Sequence, residues 1–208
     1  MDPPAPRLPA LFDERARPDF REAYGILARR STGLDVAVRQ IRIAGLDLRP
    51  GEVRGLERIR LVVAEVNGIA YRADAEVVLA QPDRAPGLLH LLDLLERGRV
   101  EIRSAPLAGW TPDFSIFHGR DGRVRALVGR HWFVRPYPHR GPALTSLQRR
   151  GAARLLRSRF EELWRHAHEI GPQVAGLLRR ARARGGANPP NPLSRKEKPA
   201  PLGPADPP

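Results

Sequence analysis

The sequence predicts an α/β fold: a mixed β-sheet flanked by helices in a single domain with disordered tails. Amphipathic helical stripes and short β-branched runs alternate in the order helix, strand, helices, strands, helix, the pattern of a layered α/β domain. A chain of 208 residues that is 41% hydrophobic can bury one sizeable core but not two. Both ends are rich in proline, and the C-terminal one is also poor in apolar residues, which leaves it too little to bury. The expected organisation is a mobile N-terminus over 1–17, a folded domain over 18–184, and a disordered basic tail over 185–208.

Asp19 is placed to cap a first helix with Phe20, Ala23, Tyr24, Leu27 and Ala28 on one face, closed by Gly33. A strand follows over Leu34 to Ile43. Its apolar parity runs Leu34, Val36, Val38 and then shifts to Ile41 and Ile43, which predicts a bulge near Gln40. From Glu52 to about Ala80, apolar residues at helical spacing predict a long amphipathic helix, although Arg60 to Ala64 also fits a buried strand. Pro86 to Gly98 reads as a leucine-rich helix, apolar almost all round, with proline in its first turn and glycine at its end. Strands are expected at Val100–Arg103, Asp113–Phe117 and Val124–Val128. A last helix from Leu147 to Ile170 would be capped by Thr145 or Ser146, bury Ala152, Leu155, Leu156, Phe160, Leu163 and Trp164, and offer free backbone donors to an anion.

Composition removes several chemistries. With no cysteine, disulfides, thiolate zinc sites, iron–sulfur ligation and cysteine nucleophiles are all excluded. No apolar run reaches the roughly 18 residues of a membrane span. The start of the chain lacks the basic and apolar blocks of a secretory signal, so a soluble cytoplasmic protein is expected. The net charge of +13 is carried almost wholly by arginine, since Lys196 and Lys198 are the only lysines. Arginine's planar fork suits bidentate phosphate contact, whereas a codon-driven surface would carry the same charge without a partner.

One stretch looks like a site. Between Trp110 and Leu144, two apolar strands flank a glycine turn and lead into Arg130-His-Trp-Phe-Val-Arg-Pro-Tyr-Pro-His-Arg140. Trp132 among Arg130, Arg135 and Arg140 can stack a base while the arginines hold its backbone, and Arg149 and Arg150 extend the charge onto the last helix. Plain packing of Phe133 and Trp132 onto the sheet competes with that reading. Thr111, Asp113 and Ser115 share one strand parity and could line a polar cleft, where Asp113 with His131 and His139 would supply general acid and base groups. Nothing in the spacing of these residues, or of His166 and His168, selects a metal, and no cofactor is implied.

The order of these elements resembles half of a phospholipase D-like protein. The matching segments are Leu94 to Arg103, Thr111 to His118 and Ala126 to Gly129, with Phe160-Glu-Glu-Leu-Trp164 similar to a closing motif; the likeness spans about Phe20 to Ile170. It implies a nucleophilic histidine, a phosphate-holding lysine two residues on, and an aspartate further along the strand. Thr111, Asp113 and His118 occupy those positions here. A threonine with no adjacent base is a poor nucleophile, and Asp113 repels the phosphate a lysine attracts. The resemblance also implies a homodimer in which two halves face one cleft.

The expected function is therefore a catalytically degenerate phospholipase D-like domain that binds nucleic acid or another phosphate ligand, away from membranes. An active phosphodiesterase or nuclease using His131, His139 and Arg130 in a rearranged site is the alternative. A structural subunit that binds another protein is the third.

Overall fold

The computed structural model describes residues 11–13, 24–39, 50–64, 85–105, 113–129, 144–148 and 150–185. Its strands are β1 (Leu11–Asp13), β2 (Ser31–Val38), β3 (Arg58–Ala64), β4 (Val100–Ala105), β5 (Phe114–Gly119), β6 (Val124–Val128), β7 (Leu144–Gln148) and β8 (His168–Glu169). Its helices are α1 (24–29), α2 (Pro50–Val53), α3 (Ala85–Glu96), α4 (Arg150–His166) and α5 (Gly171–Gly185). The strands make one sheet in the order β1-β7-β6-β5-β2-β3-β4-β8. β2, β3 and β4 run parallel, and every other pairing is antiparallel. The fold is α/β, with a mixed sheet flanked by helices.

Central strands are covered on both faces, so their sequences read as continuous apolar runs rather than alternations. β3 shows the consequence. The long helix expected from Glu52 to Ala80 is replaced over Arg58–Ala64 by a strand buried from Ile59 to Ala64. Helical spacing in Leu61, Val62 and Val63 is a coincidence of a run apolar on both sides, and β-branched side chains favour the pleated state. β2 begins at Ser31, and its register irregularity lies between Ser31 and Gly33; Gln40 lies outside the described residues.

On one face, Tyr24 and Leu27 of α1, Leu88 and Leu91 of α3, and Val174 and Leu178 of α5 pack over Leu34, Val36, Leu61, Val63, Ile102 and Phe117. On the other, α4 lays Ala153, Phe160 and Leu163 over Ala37, Val62, Ala105, Phe114, Ile116 and Ala126. α5 is a helix that the sequence expectations omit; its Val174, Ala175, Leu178 and Ala181 make the apolar stripe that seats it.

Several expectations are corrected. Leu11–Asp13 falls inside the N-terminal segment expected to be mobile, yet pairs with β7. Thr145 and Ser146 belong to β7 rather than capping a helix, so the donors expected there are committed to sheet, and α4 starts at Arg150. Leu155 is 74% exposed, and Ala153 takes the inward place instead. The buried positions 153, 160 and 163, with 156 and 164 packed beside them, form one stripe at the helical repeat, and residue 155 lies off it. Leu89 of α3 is likewise exposed, although the leucine run is apolar almost all round.

Candidate functional site

The parallel strands give the sheet a polarity. β2, β3 and β4 end at Val38, Ala64 and Ala105, and β5 starts and β6 ends at that same edge, where Ala37 pairs with Phe114 and Phe114 with Val128. In open α/β sheets, ligands bind beyond the carboxyl ends of such strands. Among the described residues, Arg39, Asp113 and Gly129 stand there. The Arg39 main-chain N–H donates to Asp113 Oδ1 at 2.7 Å, and the Gly129 N–H donates to the Asp113 carbonyl at 2.8 Å. Asp113 thus ties the end of β2 to the start of β5 and the end of β6. Gly129 has φ 132°, a backbone state that side chains disfavour, so glycine is needed where β6 turns off the sheet.

No protein-family model matches the chain, and no curated protein matches it. Among solved structures it is similar to Nuc from Salmonella typhimurium, a phospholipase D family member, at 11% identity and a TM-score of 0.42, covering 72% of this chain and 89% of that one. It is also similar to phosphatidylserine synthase from Haemophilus influenzae, at 13% identity and a TM-score of 0.39, covering 78% of this chain and 42% of that one. At such identities the side chains of this protein decide its chemistry.

The two ends of β5 separate residues that the motif spacing groups. Asp113 sits at the carboxyl-end edge, whereas His118 lies near the opposite end of β5, across from Gly33. Ser115, expected to line a polar cleft with Thr111 and Asp113, is fully buried beneath α1, with its Oγ 3.4 Å from the Tyr24 hydroxyl. Strand alternation places it correctly relative to Asp113, but the face it shares is covered by a helix. Thr111, Arg130, His131, Trp132, Arg135, His139, Arg140 and Arg149 lie outside the described residues, and Arg150 is the first residue of α4.

His118 belongs to a cluster that motif spacing does not reveal. Its Nε2–H donates to Asp35 Oδ2 at 2.5 Å. Arg60 Nε and Nη2 donate to the two Asp35 oxygens at 2.7 Å each, and Arg60 Nη1 and Nη2 donate to Glu161 at 3.2 and 2.6 Å. Register explains the meeting, because Asp35 is opposite Arg60 on β3 and Ile116 on β5, on the face that α4 covers. The Arg60 guanidinium also lies 4.8 Å from the Phe160 ring centroid and 5.1 Å from that of Trp164. Burial opposes the charge on Asp35, but the hydrogen bonds from His118 and then Arg60 outweigh it and hold the carboxyl below its ordinary range. Burial opposes Arg60 as well, and its bonds to Asp35 and Glu161 raise it above its usual value. Glu161 is held low first by its bond to Arg60.

A histidine oriented by a carboxylate is the arrangement that prepares a general base. Here the carboxylate is also closed by the Arg60 fork, so the cluster acts as a clamp joining β2, β3, β5 and α4. A sequence signal for it exists: Asp35 and Arg60 interrupt apolar strands at inward positions, which demands a buried partner for each. Among the described residues, no group of acidic or histidine side chains is arranged to hold a metal ion, and no helix is long and apolar enough to cross a membrane.

Proposed function

We propose that this chain is a catalytically degenerate phospholipase D-like domain that binds a phosphate-containing ligand, nucleic acid foremost, without cleaving it. The observation that carries the reading is Asp113. It stands at the carboxyl-end edge of the sheet, in the place where the family resemblance calls for a phosphate-holding lysine, and its carboxylate is an acceptor for the Arg39 main-chain N–H. A carboxylate fixed there repels the phosphate oxygens that a lysine would hold, and it cannot take over the lysine's role. Arg130, Arg135 and Arg140 would grip the ligand backbone, Trp132 would stack a base, and Arg149 and Arg150 would extend the contact. Pairing of two copies about one cleft belongs to the same reading, and a monomeric mass by sedimentation would remove that part.

The test is a titration of labelled single- and double-stranded oligonucleotides with the full chain at several salt concentrations, with the same samples examined for cleavage. Binding that weakens steeply with salt and leaves the strands intact supports the binder. Cleavage abolished by His131→Ala would overturn it in favour of a phosphodiesterase with a rearranged site. Absence of binding would leave protein–protein association as the function.

A further inference from the structure

Opposite the carboxyl-end edge, the sheet ends in three turns rich in exposed arginine. α1 closes on Arg29 and Arg30, the turn between α2 and β3 carries Arg54, β3 opens on Arg58, and the hairpin between β5 and β6 carries Arg120; all are exposed. Among the described residues none of these pairs with a carboxylate, whereas Arg97, Arg123, Arg125 and Arg179 each do. Glu57 is the acid that stands among them, and Asp121 at the hairpin is taken up by Arg123 and Arg125.

The turns are locked to one another. The Arg120 N–H donates to the Arg30 carbonyl at 3.2 Å, and the Glu57 N–H donates to the Thr32 carbonyl at 2.7 Å. Gly55 lies between them, and a Cβ there would stand in ordinary van der Waals contact with the Arg29 carbonyl at 3.4 Å and Arg120 Nη2 at 3.5 Å. Gly122, with φ 70°, lets the hairpin turn tightly enough to deliver Arg120 there. Helix ends favour basic residues and would account for Arg29 and Arg30 alone. They do not account for Arg58 or Arg120, which come from strand ends.

We infer that this arginine-bearing end of the sheet is a second polyanion site, which takes the phosphodiester backbone of nucleic acid. Neighbouring strands lie about 5 Å apart, so turns on β5, β2 and β3 span about 10 Å. That is the reach of about three phosphates on a duplex strand that rises about 3.4 Å per nucleotide. β3 separates this face from the Asp113 edge by about 20 Å, since strands rise about 3.3 Å per residue. The two sites therefore share no residue, and either can bind without the other. Recognition is by charge and spacing, so binding is indifferent to base sequence.

The experiment compares three full-length variants for binding a labelled DNA duplex across a salt series, with thermal melting to verify folding. These are Arg29→Gln/Arg54→Gln/Arg120→Gln, Arg130→Gln/Arg135→Gln, and a charge-matched control on the outer face of α4, Arg154→Gln/Arg157→Gln/Arg165→Gln. The first variant is expected to reduce the slope of log affinity against log salt by about 2 to 3, at about 0.9 for each phosphate no longer neutralised. The control is expected to change it by less than half as much. Wild-type affinity and slope in the first variant, or an equal loss in the control, would overturn the inference. So would polyglutamate binding tighter than the duplex, because the face would then be built for an acidic protein. Loss confined to Arg130→Gln/Arg135→Gln would sustain the carboxyl-end reading and sink this one, and the reverse pattern would do the opposite.

Discussion

Asp35 and Arg60 stand opposite each other in the parallel register of β2 and β3 and close a two-pronged ion pair, with both bonds at 2.7 Å. Asp35 is 0% exposed and Arg60 6%, so neither charge has water to fall back on. Glu161 reaches down from α4 to the same guanidinium, and His118 reaches across from β5 to the same carboxylate. The pair therefore fixes more than one register. Through Glu161 it also ties α4 to the sheet.

Removing the carboxylate strands the guanidinium in the interior. Asp35→Ala should cost about 3–5 kcal/mol of unfolding free energy, the usual consequence of breaking a buried pair from one side. The double substitution Asp35→Leu/Arg60→Met should cost markedly less, because the Glu161 carboxylate it leaves without a partner is 41% exposed and can turn to water. Urea denaturation of the two variants compares them directly; equal costs would mean that packing, not charge, dominates this cluster.

The same cluster makes stability fall in acid. Asp35 and Glu161 have folded-state values below those of the unfolded chain, so their contribution is present above the unfolded carboxylate range of about 4 and is lost as pH falls through the lower folded values. The share of the urea midpoint that these two carboxylates supply should hold steady from about pH 7 to about 5 and drop below about pH 4. Glu161→Gln should flatten part of that fall. An acid limb of unchanged steepness in the variant would show that Glu161 does not contribute to it.

What is legible in the chain follows from how strongly each segment is patterned. β6 is bounded as the sequence predicts because Gly122 and Gly129 punctuate it on both sides, and α3 because Pro86 and Gly98 mark its ends. β3 is ambiguous, since burial on both faces erases the alternation that distinguishes a strand. α5 is hidden by its arginines, which raise the polarity of a helix whose apolar stripe is only Val174, Ala175, Leu178 and Ala181. Motif spacing groups Asp113 and His118 without conveying that residues five apart on a strand lie at different ends of it. The arginine face is invisible in the sequence because Arg29, Arg54 and Arg120 become neighbours only when their turns meet.

At the carboxyl-end edge, Asp113 can be changed without losing its hydrogen bond. Asp113→Asn keeps an acceptor oxygen for the Arg39 N–H and removes a negative charge from the proposed phosphate site. A unit charge at about 4 Å in a well-solvated setting is worth about 1 kcal/mol, which is about fivefold in affinity. Oligonucleotide affinity should therefore rise by about that factor, and a parallel measurement at high salt should shrink the gain. Unchanged affinity at low salt would place the ligand elsewhere on the molecule.

The inward face of α4 separates two apolar positions that sequence periodicity joins. Phe160 is fully buried, packs under Arg60 and stacks on Trp164 at a centroid distance of 5.7 Å, whereas Leu155 projects outward. Phe160→Ala should cost about 3–5 kcal/mol through the cavity it leaves and the packing against Arg60 it removes. Leu155→Ala should stay within about 0.5 kcal/mol, as substitutions on an exposed helix face do. Chemical denaturation of both variants at neutral pH measures the difference. A large loss at Leu155 would mean that this side chain is covered in solution, and a second copy of the chain seated on the outer face of α4 would then show as a concentration-dependent midpoint.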